Sequence, residues 1–326
     1  TGWFGRELPK HATSAWNPFP PPPPTPQLAK EYIYAGSRLL AVEDANAVAA
    51  PPADIAVWRP SNGLWCVMGQ TGSAQAFEAW GIVNDVPVPG DYDADGKTDV
   101  AIWRRSTGYW WIYYSSTSTY DGIPWGDDQD NDTPIAADFD GDGKTDLGIA
   151  RKDATNSEMD WYVLLSGGGN TSTTWGFNTD TPAAADYDGD GKADLATYRS
   201  STDELYWLRS SDSQAQGVDL NNNGDKVVSS DYDGDGKADP AVFNEDTGYW
   251  YIYQSTTNSV VSVQWGTSGD TPVQNDYDGD GKTDLATFTP HPTASIWTIK
   301  RSSNGTTRTE YWGITGDIPV PAFYRR

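Results

Sequence analysis

The sequence predicts an all-β fold, a six-bladed β-propeller of four-stranded blades in which the C-terminal strand joins the first blade. Three observations predict it: a repeat with a period of 45 to 48 residues, short apolar runs with period-2 alternation, and a nine-residue acidic loop that begins at Asp91, Asp138, Asp186, Asp231 and Asp276. Repeats of that length belong to propellers or solenoids, whose units cover one another's apolar faces. Alternation with period 2 is the signature of a strand, and 33 Gly with 22 Pro suit many tight turns.

Each repeat reads as strands A to D. Strand A is a Pro-containing apolar stretch before the loop, such as Val86-Pro87-Val88-Pro89 or Thr133-Pro134-Ile135-Ala136. Strand B follows the loop and carries a small third residue, as in Asp99-Val100-Ala101-Ile102-Trp103 and Asp146-Leu147-Gly148-Ile149-Ala150. Strand C is marked by a Trp: Trp65, Trp110, Trp161, Trp207, Trp250 and Trp297. Strand D ends in Trp-Gly at Trp80, Trp125, Trp175, Trp265 and Trp312, and the fourth repeat lacks this ending. Repeated Trp at equivalent strand positions reads mainly as core between blades. The alternating sets Tyr109, Trp111, Tyr113 and Tyr249, Tyr251, Tyr253 leave some rings free to stack on sugar faces.

The first B strand, Asp54 to Trp58, has no A strand before it, and the last A strand, Asp317 to Tyr324, has no B strand after it. Joining the two closes a ring of six blades. The sixth A–B junction is then where the chain ends meet, and Ala322 to Arg326 supplies no carboxylate side chain there, hence five acidic loops. The propeller is expected over residues 51–326. Residues 1–50 stand outside the repeat as a Pro-rich arm: Pro20 to Pro24 favours an extended spacer, and Glu31 to Glu43 reads as a hairpin around Gly36-Ser37. The start, Thr1-Gly2-Trp3-Phe4, lacks Met and reads as a processed or trimmed end.

The loops read Asp-x-Asp-x-Asp-Gly-x-x-Asp. Position 1 is Asp91, Asp138, Asp186, Asp231 or Asp276; position 3 is Asp93, Asp140, Asp188, Asp233 or Asp278. Position 5 is Asp95, Asp142, Asp190, Asp235 or Asp280, and position 9 is Asp99, Asp146, Asp194, Asp239 or Asp284. The backbone carbonyl at position 7 (Lys97, Lys144, Lys192, Lys237, Lys282) is a further expected ligand. Hard oxygen donors at this density call for Ca²⁺ at five sites, and their mutual repulsion opposes folding without it. An EF-hand would carry an acid at position 12 and continue as a helix; here position 12 is Ile102, Ile149, Thr197, Val242 or Thr287, within a strand.

These repeats resemble the FG-GAP/VCBS repeat family, the calcium-loop propellers also seen in integrin α-subunit heads. The resemblance covers residues 54–324, although the Phe-Gly and Gly-Ala-Pro signatures are absent as such. It implies structural calcium and a role in adhesion or interaction. The segment Tyr32-Ile33-Tyr34-Ala35-Gly36-Ser37-Arg38-Leu39-Leu40-Ala41 is similar to the end of YD/RHS repeat proteins.

A net charge of −24 argues against nucleic acid and anionic membranes as partners. No apolar run is long enough to be a membrane helix. Catalysis is not expected: His11 lies in the arm, His291 lies between two prolines, and the single Cys66 sits in an apolar strand. Calcium loops of low affinity fill where calcium is near millimolar, so a secreted or cell-surface protein is expected. Its expected partner is a second copy or another extracellular protein, reached through the arm. A glycan on the aromatic surface is the alternative, and a polysaccharide-active enzyme is a weaker one.

Overall fold

The computed structural model describes residues 30–35, 38–44, 52–69, 74–127, 131–220 and 226–324. They divide into two units, one before residue 50 and one after it. In the first, β1 (Lys30–Ala35) pairs antiparallel with β2 (Arg38–Asp44), Ala35 facing Arg38, as the hairpin reading requires. The remainder of the Pro-rich arm, residues 1–29, 36–37 and 45–50, lies outside the described residues.

The second unit is a six-bladed β-propeller. Blade 1 holds β3 (Ala56–Arg59), β4 (Leu64–Met68) and β5 (Ala74–Ala79). Blade 2 is β6 (Asp85–Pro87), β7 (Val100–Arg104), β8 (Tyr109–Tyr113) and β9 (Tyr120–Pro124). Blade 3 is β10 (Asp132–Ala137), β11 (Asp146–Lys152), β12 (Glu158–Leu164) and β13 (Asn170–Phe177). Blade 4 is β14 (Thr181–Pro182), β15 (Leu195–Arg199), β16 (Glu204–Leu208) and β17 (Ala215–Asp219). Blade 5 is β18 (Lys226–Val227), β19 (Ala241–Asn244), β20 (Tyr249–Gln254) and β21 (Ser259–Gln264). Blade 6 is β22 (Thr271–Pro272), β23 (Leu285–Thr289), β24 (Ile296–Lys300) and β25 (Thr307–Tyr311). The last strand, β26 (Ile318–Pro319), pairs with β3 and completes blade 1.

Burial follows strand position. The B strands are buried on both faces, Val100 to Trp103 being typical, while the C strands alternate and the D strands are largely exposed. The small third residue of strand B has a steric cause: at Gly148 a Cβ would lie 2.8 Å from the Ile135 carbonyl oxygen. Each of the six apolar clusters takes residues from two successive blades. Trp103 and Trp110 of blade 2 meet Leu147 and Ile149 of blade 3, and Phe288 and Trp297 of blade 6 meet Val57 and Met68 of blade 1. The C-strand Trp residues are therefore core between blades, as expected.

The fourth blade corrects one assignment. In blades 2, 5 and 6 the marker Trp faces Trp103, Phe243 and Phe288 across the B–C pair. In blade 4 the residue facing Tyr198 is Leu205, whereas Trp207 faces Ala196, the position that Ile112 holds against Ala101. Trp207 is thus two residues out of register with the other five. The reason lies in a hydrogen bond. Elsewhere the marker indole donates to the carbonyl of the Trp that ends strand D, for example Trp110 Nε1 to Trp125 O at 2.9 Å and Trp250 Nε1 to Trp265 O at 2.7 Å. In blade 4 Leu205 at the marker position has no indole N–H to donate, and Leu220 replaces the strand-D Trp, its own N–H making the usual bond to the B–C turn.

A second recurrent device joins strand A to strand B. Arg59, Arg104, Arg151 and Arg199, at the ends of the B strands, each grip a buried Asp (Asp317, Asp85, Asp132, Asp180) through Nε and Nη2 at 2.6–3.1 Å. The same carboxylates accept the backbone N–H of the corner that arrives from the previous blade, as Asp85 does from Ile82 at 2.8 Å. In blade 6 Thr289 takes the Arg position and donates to Asp270 at 2.6 Å. Removing one partner strands a buried charge. Arg59→Met is expected to cost about 2–3 kcal/mol, below the ~3–5 of a fully buried pair because the guanidinium is 27% exposed, as read by the urea unfolding midpoint.

Candidate metal centres

Every acidic loop is built in the same way. The position-1 carboxylate accepts two N–H groups of its own loop: Asp91 takes Ala94 N at 2.7 Å and Gly96 N at 2.9 Å. Asp186 takes Gly189 N at 2.6 Å and Gly191 N at 2.8 Å. The invariant position 6 has φ between +82° and +86° in all five loops, the left-handed region in which glycine carries no Cβ penalty. These bonds curl the chain so that position 3 comes back over position 1.

Position 9 is the keystone. Asp99, Asp146, Asp194, Asp239 and Asp284 are all 0% exposed. One oxygen of each accepts the N–H of loop position 2, and the other accepts the N–H of a Ser just past strand C: Ser115, Ser166, Ser210, Ser255 or Ser302. The loop is thereby tied to the C–D turn of its own blade. The same Ser hydroxyl donates to the position-5 Asp in every loop, for example Ser166 Oγ to Asp142 at 2.7 Å and Ser255 Oγ to Asp235 at 2.7 Å.

Six backbone bonds then link the junctions around the ring. Thr145 N donates to Asp91 O, Ala193 N to Asp138 O, Ala238 N to Asp186 O and Thr283 N to Asp231 O, each at 2.7 Å. The chain ends complete the series with Ala53 N to Asp276 O at 2.7 Å and Thr98 N to Phe323 O at 2.9 Å. Phe323 therefore stands where the other junctions carry Asp at position 1, and Asp54 stands at position 9. The position-7 lysines run between loops as well: Lys282 Nζ donates to Asp233 O at 2.7 Å, and Lys192, Lys237 and Lys282 lie against Gly141, Gly189 and Gly234 of the preceding loop.

Carboxylate oxygens from positions 1, 3 and 9 converge to within 4.8 Å of one another in all five loops: Asp91, Asp93 and Asp99; Asp138, Asp140 and Asp146; Asp186, Asp188 and Asp194; Asp231, Asp233 and Asp239; Asp276, Asp278 and Asp284. The position-5 carboxylates lie outside these trios and hold the Ser hydroxyls instead. In each loop whose position-7 lysine was named above as a ligand, that lysine's N–H donates to position 5, as in Lys97 N to Asp95 at 2.7 Å. Two buried carboxylate oxygens, Asp233 Oδ1 and Asp278 Oδ1, have no hydrogen-bond partner. Three converging carboxylates with such orphaned oxygens, all of them hard donors, fit a hard divalent cation.

Electrostatics point the same way. Burial pushes Asp99 up to about 6, opposed by the N–H groups of Ser115 and Tyr92 and helped by the charge of Asp93. Burial also raises Asp146, Asp194, Asp239 and Asp284. The metal-free folded protein thus holds protons that the unfolded chain, titrating near ~4, would release. Its stability falls as pH rises from about 4 through 6. Cation binding needs the ionised form, so affinity runs the other way. Calorimetric titration with a divalent cation at pH 5.5 is expected to show binding several-fold weaker per site than at pH 7.5.

The acidic loops were legible in the sequence as candidate metal sites; their anchors were not. The Ser at the head of each C–D turn recurs 16 to 20 residues after position 9, a signal in the sequence that pairs with nothing nearby. Of the remaining reactive side chains, Cys66 is half-buried with its thiol pushed up by burial, and the ring of His291 hydrogen-bonds to Thr293 in a loop.

An all-β ring of six blades with an acidic loop at five of its six A–B junctions defines an acidic-loop β-propeller. Residues 91–149 and 138–197 match the family model described as FG-GAP-like repeat. No curated protein matches the sequence. Among solved structures, the fold is similar to TolB from Acinetobacter baumannii, with a TM-score of 0.58 and 13% identity over 83% of this chain. The chain spans 66% of that TolB chain, just under two thirds. It is also similar to a protein of unknown function from Bacteroides caccae, with a TM-score of 0.51 and 11% identity over 82% of this chain and 99% of that one. At these identities the likeness is one of fold.

Proposed function

We propose that the chain is a secreted, calcium-stabilised β-propeller that acts as a structural or interaction protein of adhesion or filament type, and not as an enzyme. The observation that carries this reading is the wiring of the five acidic trios. Their carboxylates serve the A–B junctions, the C–D turns and, through backbone bonds, the next junction round the ring. Ca²⁺ held by positions 1, 3 and 9, with the position-7 carbonyl and position 5 as further donors, would cancel repulsion within each trio and fix five inter-strand joints. Ions placed in this way stabilise a rigid body and leave no open coordination built for a substrate. Low-affinity sites of this kind fill in extracellular calcium, which supports secretion.

In this reading the Pro-rich arm, residues 1–50, contacts a neighbouring subunit or another extracellular protein. Its proline run is a semi-rigid spacer, and an apolar hairpin such as β1–β2 needs a surface to pack on. Removal of residues 1–50 is expected to convert an oligomer to a monomer in multi-angle light scattering with calcium present. An unchanged mass would remove the arm from the account and leave the propeller reading standing.

A further inference from the structure

Away from the acidic loops, one arrangement recurs at three successive blade interfaces. Between blades 1 and 2, Trp80, Gly81, Ile102, Arg104, Trp111 and Tyr120 line a cavity of about 330 Å³. Between blades 2 and 3, the equivalent residues Trp125, Gly126, Ile149, Arg151 and Tyr162 line one of about 140 Å³. Between blades 3 and 4 the same positions are held by Trp175, Gly176, Thr197, Arg199 and Tyr206.

The guanidinium lies over a strand-C ring in each, and Arg199 also lies over Phe177 at 4.2 Å. Arg104 lies over the Trp111 ring at 5.8 Å, Arg151 over Tyr162 at 5.1 Å and Arg199 over Tyr206 at 4.8 Å. Each is already neutralised by its buried Asp. Trp111 and Tyr162 are only partly buried and pack against apolar clusters, but an aromatic ring is not required at this register. Trp111 faces Ile102 across the B–C pair, and at that register blade 6 carries Thr298 and blade 1 carries Cys66. The other three interfaces lack the full set: Leu220 and Asn244, Thr289 with Thr298, and Cys66 break it in turn.

Polar atoms at these interfaces also remain unused. The indole N–H groups of Trp111 and Trp175 and the hydroxyl of Thr197, a residue 0% exposed, have no hydrogen-bond partner. At the first two of these interfaces the strand-D indole does donate across to the next blade, Trp80 Nε1 to Trp111 O at 2.9 Å and Trp125 Nε1 to Tyr162 O at 3.3 Å, whereas Trp175 Nε1 at the third does not. Buried polar groups without partners point to a ligand that supplies them.

We infer that these three Arg–aromatic settings, the first two of which line the cavities above, bind rings of a neutral oligosaccharide, a proposal that rests on the interaction-module reading above. A sugar ring offers an apolar face to Trp or Tyr and hydroxyls to N–H donors. An anionic ligand would meet guanidinium groups already paired with Asp on a chain of net charge −24, and a cation would face the guanidinium itself.

The test uses the full chain loaded with calcium on an array of neutral and acidic glycans, including trisaccharides of glucose, galactose, mannose and N-acetylglucosamine, followed by calorimetry on the best ligand. The variant combines Trp111→Thr, Tyr162→Thr and Tyr206→Thr, taking its residue from blade 6. Binding to neutral glycans is expected, with at least about tenfold weaker affinity in the triple variant and an unchanged calcium-loaded fold. If the triple variant does not fold, each single variant is expected to lower the binding stoichiometry by one site. A blank array, binding restricted to acidic glycans, or equal binding by folded variants would overturn the proposal. The calcium effect on unfolding is read on the same sample. A blank array with calcium stabilisation intact sinks only the sugar sites, and glycan binding without calcium stabilisation sinks only the earlier reading.

Discussion

Stripping calcium from the protein is expected to lower its thermal unfolding midpoint by about 20 °C. A ligand that binds only the folded state contributes roughly 2.7 kcal/mol per site at a hundredfold excess over Kd. Five sites then contribute on the order of 10 kcal/mol, and a domain of this size shifts by about 2 °C per kcal/mol. The large figure follows from geometry. Each trio brings three carboxylates within 4.8 Å, and the buried member is already pushed toward its neutral form. The loops are also bonded to one another, so release at one junction loosens the next. Differential scanning calorimetry with chelator and with millimolar calcium measures the shift. A change of only one or two degrees would show that the loops do not hold the ring.

The second large effect is expected at the keystone carboxylate. Asp239→Ala removes a ligand, and it also removes the acceptor for Tyr232 N at 2.9 Å and Ser255 N at 2.8 Å. Two buried N–H groups left unpaired cost about 1–3 kcal/mol each. The variant is therefore expected to lose about 3–4 kcal/mol in the presence of chelator and more in calcium, where a binding site is lost as well. Asp235→Ala is the contrast: that carboxylate is exposed and meets Ser255 Oγ, so in chelator its loss is expected to cost less than about 1 kcal/mol. Urea unfolding of the two variants under both conditions separates the backbone role from the metal role. Equal losses at the two positions would contradict the keystone assignment.

What the sequence revealed and what it hid have different physical origins. Asp at positions 1, 3, 5 and 9 lies within nine residues, so the loop is a local pattern, and the period of the repeat exposes the blades. Ring closure was legible for the same reason, since Asp317 to Tyr324 repeats Asp85 to Tyr92. The Arg–Asp clamps were hidden because their partners lie 19 residues apart, or 258 at the closure, and neither residue is unusual alone. The signal that could have found them is an Asp six residues before each loop start: Asp85, Asp132, Asp180, Asp225 and Asp270, with Asp317 ahead of the closing junction. Residue type alone points to Trp207 in blade 4, whereas the distance from the B–C turn points to its neighbour two residues earlier. Arg104 to Tyr109 and Arg199 to Glu204 span equal turns, and that count leads to Leu205.

The propeller also separates its two chemistries. The acidic loops sit at the A–B junctions and face their own C–D turns. The Trp-Gly corners lie at the far end of strand D, where Arg and an aromatic ring of the next blade meet them. Tyr residues at loop position 2 belong to the frame: Tyr92, Tyr187, Tyr232, Tyr277 and Tyr324 are buried and donate to the carbonyl four residues earlier. Burial raises all five hydroxyls well above the ordinary phenol range, so they remain protonated donors.

The central claim is that five loops carry five structural calcium ions, and native mass spectrometry of the calcium-equilibrated chain tests it most directly. The expected result is a mass increment of five calcium ions per chain, falling to four in Asp239→Ala. An increment of fewer than five in the wild-type chain, or none, would contradict it.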